Sequence, residues 1–140
     1  MAAEFTGRHV LAEFGGVDRA LCDDLGALES ALRRALTAAG VTVCEVVGKQ
    51  FHPHGVTVLA LLAESHASLH TYPETGDIFV DVFTCGTAAD SAGRVAELLR
   101  EALAPEHVRI STVLRGRAAA GTAPGRYPVM PPACRPYRDP

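Results

Sequence analysis

Apolar and polar positions along the chain change period several times, and each change marks an element. In "GRHVLAEFGG", residues 7–16, a short alternating run lies between glycines and predicts a strand. In "DRALCDDLGALESALRRALTAAG", leucines at 21, 25, 28, 32 and 36 recur every three or four residues, which predicts one amphipathic helix stopped at Gly40. The alternating, β-branched "VTVCEVVGKQF" predicts a strand, "HPHG" a turn, and the near-continuous apolar run "VTVLALLAE" a central strand. "HASLHTY" alternates again, "PETGD" turns, and "IFVDVFTCG" predicts another strand. A second helix is expected over "DSAGRVAELLREALAP", opened by Asp90 or Ser91 and ended by Pro105, before a last strand in "HVRISTVLRG".

The order β-α-β-β-β-β-α-β, with hairpin-length turns in the middle, predicts an α+β fold. It is a two-layer α/β sandwich, with an antiparallel-dominated sheet and both helices on one face. The strands at 56–63 and 78–85 are apolar at both parities, so the sheet needs a second cover. Two helices cannot supply it, and a second copy of the chain is the simplest candidate, so a homodimer is expected.

Composition fits one domain: 140 residues, 48% of them apolar, suffice for a real core. Residues 1–115 form the expected domain. Residues 116–140 hold six of the nine prolines and read as an irregular Pro/Arg-rich tail, or as an arm laid over a partner. The net charge of −3 divides into −7 over residues 1–114 and +4 over 115–140. A few arginines in an irregular tail make no basic stripe, so no nucleic-acid partner is expected. The N-terminal stretch carries no secretory pattern and no run is long enough to span a bilayer, so a cytoplasmic protein with no membrane partner is expected.

The four cysteines, at 22, 44, 85 and 134, include no C-x-x-C pair, which argues against a zinc ribbon or a thioredoxin motif. Cys22 and Cys44 read as small buried hydrophobes. His66 and His70, four apart on a strand, would stand about 13 Å from each other, too far to share a metal, and none is expected. The block "LAESHASLHTYPETGDIFVDVFTCG" nevertheless crowds Glu64, Ser65, His66, His70, Glu74 and Cys85 into 25 residues.

That block resembles the bacterial S-adenosylmethionine decarboxylase proenzymes, through ESH, HT-x-PE and FTCG in that order and at that spacing. "GRHVLAEF" and "FHPHGVT" extend the likeness over residues 7–115. The resemblance implies a self-made pyruvoyl cofactor, because no ordinary side chain is a good enough electron sink for decarboxylation. Ser65 attacks the carbonyl of Glu64, the resulting ester is eliminated, and hydrolysis leaves a pyruvoyl group at position 65. The products are a β chain of residues 1–64 and an α chain from residue 65. By the family pattern His70 is the base for elimination, the pyruvoyl group holds the small-molecule substrate as a Schiff base, and Cys85 returns the proton after carbon dioxide leaves. Phe51 and Tyr72 match aromatic contacts to the substrate, and Glu74 matches the acceptor of ribose hydroxyls. The expected product is the aminopropyl donor for spermidine synthesis.

Strict alternation sets Ser65 and His70 on opposite faces of their strand, so a bulge or kink is expected between them. Asp81 is expected to support its strand by hydrogen bonding. Asp77, where relatives carry an apolar or aromatic residue, adds a carboxylate near Glu74 and leaves arginine or ornithine open as alternative substrates. An unprocessed homologue that only binds or regulates is a third reading.

Overall fold

A computed structural model describes residues 6–116. The tail expected at 116–140 lies outside the described residues beyond Gly116. Six strands make one sheet in the order β2-β3-β4-β5-β1-β6: β1 Thr6–Gly15, β2 Val43–Gln50, β3 Val56–Leu62, β4 Ser65–Tyr72, β5 Asp77–Cys85 and β6 His107–Gly116. Every neighbouring pair is antiparallel. Strands β2 to β5 form a meander, and β1 returns between β5 and β6. The two-layer antiparallel α+β architecture agrees with the sequence.

The helical layer differs in one respect. The expected single helix is two, α1 Arg19–Cys22 and α2 Leu25–Ala38, followed by α3 Ser91–Leu103. Consecutive aspartates cause the break, because short carboxylates compete with the helix for backbone N–H groups. Asp18 caps α1 by accepting from the Leu21 N–H at 3.0 Å, and Asp24 caps α2 by accepting from the Ala27 N–H at 2.9 Å. Asp23, between them, accepts from Gly55 N–H and from Gln50 Nε2, each at 2.8 Å, and so fastens the helical layer to the β2–β3 loop.

Helix α2 packs on β2 and β3, and α3 on β5 and β1. The leucines that predicted the helix divide accordingly: Leu28, Leu32 and Leu36 are buried, with Val95 and Leu99 of α3 beside them. From the sheet they meet Val10, Ala12, Phe14, Val58, Leu69, Ile78 and Val82. Thr71, buried among them, donates to the Cys22 carbonyl at 2.6 Å and accepts from Val56 N–H at 2.9 Å, so its hydroxyl is satisfied on both sides. Cys22 is buried as expected. Cys44 is exposed, contrary to expectation, because it sits in the edge strand where the register shifts between Val43 and Glu45.

Among the described residues no helix lies over the other face of the sheet. Successive partners across it run Glu45, Leu61, His66, Phe83, His9 and Val113 in one row. The next row is Val47, Leu59, Ser68, Asp81, Leu11 and Ser111, and a third is Lys49, Thr57, His70, Phe79, Glu13 and Arg109. Leu59 is 53% exposed and Leu61 57%, with Leu11, Val47, Phe79 and Val113 also open to solvent. The apolar face that the strand patterns predicted is therefore present, and no described element covers it.

Candidate active site

The residues singled out in the sequence gather at two ends of this open face. At one end lies the Glu64–Ser65 junction, where β3 gives way to β4. The Glu64 carboxylate accepts from Thr42 N–H, with N–O distances of 3.1 and 3.3 Å, while Ala63 N–H donates to the Thr42 carbonyl at 3.0 Å. Partial desolvation pushes the Glu64 carboxyl up, but the donors of its own backbone and of Thr42 outweigh this and hold it below its ordinary value. The chain ahead of the junction is thus clamped. Ser65 itself has φ of 152°, in the region that residues with a Cβ avoid. Such a conformation stores about 1–3 kcal/mol when the surroundings impose it. The Cys85 thiol, at the end of β5, donates to the Glu64 carbonyl oxygen at 3.1 Å. Ser65 Oγ lies 3.1 Å from His66 Nδ1.

At the other end, His70 Nδ1 is hydrogen-bonded to the Thr57 hydroxyl on the neighbouring strand. Its ring stands edge-on to Tyr72 at 4.8 Å and to Phe51 at 6.1 Å, and Tyr72 meets Phe79 at 5.6 Å. Phe51 and Tyr72 are half exposed, so this aromatic wall is available to a ligand. Glu74, in the β4–β5 turn, pairs with His54 Nε2 at 3.0 Å. The turn closes at Gly76, whose φ of 74° and contact with the Val17 carbonyl leave no room for a side chain.

The predicted residues thus form two clusters, Glu64, Ser65 and Cys85 at one end and His70, Phe51 and Tyr72 at the other, while Glu74, two residues beyond Tyr72, is paired with His54. Of the bulge or kink expected between Ser65 and His70, there is no bulge, and the one backbone departure is at Ser65. Strand β4 pairs without a register shift on both sides, and the adjustment falls on the backbone of Ser65 alone. Five residues of regular strand separate the two by about 16 Å. Asp77 lines a hollow with Gly15, Phe79 and His107, whereas Glu74 lines another with Arg19, Asp23 and His54.

Between the clusters stands a group that the sequence only half disclosed. Asp81 accepts from Ser68 Oγ and, at 2.8 and 3.2 Å, from His9 Nε2 and His66 Nε2. Partial burial pushes the Asp81 carboxyl up, but the hydrogen bonds from Ser68 and His9 and the nearby imidazoles hold it below its ordinary value. Asp81 does support the sheet by hydrogen bonding, as expected. His9 was not singled out, because only the insertion of β1 beside β5 brings it there; its alternation with Leu11 and Glu13 on the polar parity of β1 was the available signal.

A helper-donor on a carbonyl beside a hydroxyl, together with a histidine and an aromatic wall, suits acyl transfer followed by work on a small cationic ligand. Comparison with known proteins shows the family. The family model for S-adenosylmethionine decarboxylase matches residues 8–116. The chain belongs to the S-adenosylmethionine decarboxylase family. An S-adenosylmethionine decarboxylase proenzyme 2 of Bacillus cereus is 41% identical over 110 residues, 79% of this chain and 89% of that one. A proenzyme of Prochlorococcus marinus is 38% identical, covering 87% of this chain and 97% of that one. The crystal structure of the adenosylmethionine decarboxylase from Aquifex aeolicus VF5 superposes with a TM-score of 0.77 at 34% identity, over 87% of this chain and all of that one. The decarboxylase family expected from the ESH, HT-x-PE and FTCG blocks and the sandwich fold expected from the element order are both borne out.

Proposed function

We propose that the chain is a proenzyme that cuts itself between Glu64 and Ser65 and then decarboxylates S-adenosylmethionine, supplying the aminopropyl donor for spermidine synthesis. The observation that carries this reading is the Cys85 thiol on the Glu64 carbonyl oxygen, next to a serine held in a conformation that serine resists. The Ser65 hydroxyl adds to that carbonyl, and the thiol stabilises the oxygen as it becomes negative. Collapse breaks the Glu64–Ser65 C–N bond and leaves an ester. Removal of the Ser65 Cα proton expels the Glu64 carboxylate, and water converts the resulting dehydroalanine to a pyruvoyl group with loss of ammonia.

The junction suits a pyruvoyl group: a hydroxyl-bearing residue, a carbonyl with a donor on it, and a clamped upstream chain. That group, once made, supplies a carbonyl that engages the substrate amine and accepts the electron pair left by carbon dioxide. Cys85, at the same point, is the proton donor to the substrate carbon. Phe51 and Tyr72 provide aromatic faces for the adenine and the sulfonium, and Glu74 accepts hydrogen bonds from the ribose.

The base for elimination, His70, is about 16 Å from Ser65 within one chain, which no local adjustment spans. A homodimer resolves this. Two open faces stacked about a two-fold axis that runs across the strands lay the His70 row of one copy over the His66 row of the other. Ser65 and Cys85 of one copy then meet His70, Phe51, Tyr72 and Glu74 of the second. The same stacking buries Leu11, Val47, Leu59, Leu61, Phe79 and Val113. Decarboxylation of arginine or ornithine would draw on Asp77, which lines a hollow with Gly15, Phe79 and His107, as a second carboxylate for a cationic side-chain end. Among the described residues no helix is long and apolar enough to cross a membrane, and a cytoplasmic location remains part of this proposal.

Carbon dioxide release from S-adenosylmethionine, arginine and ornithine tests the reading. Release from the first alone is expected; release only from another amino acid, or from none, overturns it.

A further inference from the structure

The self-cleavage just proposed leaves one proton without a destination. Ser65 Oγ must lose its hydrogen to attack, and His70 is about 16 Å away along the same strand. In the chain that holds Ser65, the imidazole at hydrogen-bond distance is the next residue's. His66 Nδ1 lies 3.1 Å from Ser65 Oγ, and His66 Nε2 lies 3.2 Å from Asp81 Oδ2.

The tautomer follows from the partners. A carboxylate only accepts, so the hydrogen between His66 and Asp81 sits on Nε2, and the lone pair of Nδ1 is left facing the Ser65 hydroxyl. Asp81 is in turn fixed by Ser68 Oγ on one oxygen and by His9 Nε2, at 2.8 Å, on the other. His9 is held by the Arg115 guanidinium, 3.3 Å from Nδ1, which also lies over the Phe83 ring. The charged and titratable groups around His66 are therefore Asp81 of β5, His9 of β1, Arg115 of β6 and, two strands away on the same row, Glu45 of β2.

We propose that His66, oriented by Asp81, is the general base and acid of the first step of self-cleavage, with His9 and Ser68 as positioning residues for Asp81. His66 Nδ1 takes the Oγ proton as the bond from Oγ to the Glu64 carbonyl carbon forms. It returns that proton to the Ser65 nitrogen as the C–N bond breaks. No electrons enter or leave, and the product is the ester. Two histidines then divide the two steps: His66 of the same chain makes the ester, and His70 of the second copy eliminates it.

His9 Nε2, His66 Nε2 and an Asp81 oxygen lie within 4.8 Å of one another, close enough to share a metal ion. Both nitrogens already hydrogen-bond the carboxylate, and a guanidinium borders the group, which favours the relay.

Hydroxylamine separates the steps, because it cleaves an ester and leaves an amide whole. Full-length His66→Ala and His70→Ala chains are purified and followed by denaturing electrophoresis, with and without hydroxylamine. His70→Ala is expected to stay whole until hydroxylamine splits it at 64/65. His66→Ala is expected to stay whole in both conditions, with cleavage slowed about 10²- to 10⁴-fold and restored in part by added imidazole. Asp81→Asn is expected to slow cleavage about tenfold or more, by releasing the tautomer. It also decides the matter should His66→Ala fail to fold: an unchanged Asp81→Asn rate overturns the relay. A His66→Ala chain that splits at the wild-type rate, or that hydroxylamine splits, overturns the relay and leaves self-cleavage standing. A wild-type chain that never splits overturns both. Cleavage that stops with EDTA and returns with zinc overturns the relay in favour of a metal.

Discussion

The Cys85 thiol donates to the carbonyl oxygen of Glu64 across 3.1 Å, joining the end of β5 to the residue before β4. On the proposed self-cleavage this contact serves the first step, before any pyruvoyl group is made. Cys85→Ala is expected to slow cleavage about 10²- to 10³-fold, the usual cost of losing one oxyanion donor. Cys85→Ser keeps a donor and is expected to cut faster than Cys85→Ala while losing turnover. Gel densitometry over time and a carbon dioxide assay read the two effects apart; equal cutting by both variants would remove the thiol from the first step.

Two dead chains should make one live site. On the proposed roles, Ser65→Ala lacks the nucleophile and His70→Ala the elimination base, and in the proposed stacked pair these belong to different copies. Co-expressed and paired at random, they are expected to form about a quarter of the wild-type number of sites. Cutting should be confined to the His70→Ala chain. Mass spectrometry of the mixture identifies which chain is cut; no cutting in any mixture would mean that the site lies within one copy.

The open face should tolerate charge as a fold but not as a dimer. Leu59→Glu alters a side chain that is 53% exposed in the single chain, so folded secondary structure should persist in circular dichroism. Sedimentation is expected to show a monomer, and self-cutting should fail with it. A dimeric, self-cutting Leu59→Glu protein would place the interface elsewhere. By contrast, Leu32→Ala empties a fully buried site under the sheet and is expected to cost about 2–5 kcal/mol in denaturant unfolding.

Acid should weaken the fold through Asp81. Its carboxyl is held below the ordinary value of 3.8, so its contribution is complete above that value and is lost as pH falls through the lower folded one. Asp81's share of the stability is expected to be constant above about pH 5 and to decline below about pH 4, read as the difference in melting temperature between wild type and Asp81→Asn.

Much of this was legible beforehand because the patterns were long. The leucine stripe at 28, 32 and 36 and the alternation in "HASLHTY" can each satisfy only one period, and the structure buries the faces they designated. The break at Asp23–Asp24 was hidden by the same stripe, since Leu21 and Leu25 keep the spacing while the carboxylates between them redirect the backbone. A bulge or kink was expected between Ser65 and His70; the backbone departs at Ser65 alone, which no periodicity records, and the two residues stay apart along the strand. His9 could not be paired with Asp81 without knowing that β1 returns beside β5, a contact 72 residues apart in sequence. The motif residues were easy to find, but their division into two clusters at opposite ends of a bulge-free strand became visible only once the register of β4 was known.

Intact-mass analysis of freshly purified, active protein bears most directly on the self-cut decarboxylase. Two chains are expected, one ending at Glu64 and one beginning at position 65. The second should be lighter by one ammonia than a chain that starts with serine, and should react with a carbonyl reagent at its first residue. A single uncut chain that still released carbon dioxide from S-adenosylmethionine would contradict the account.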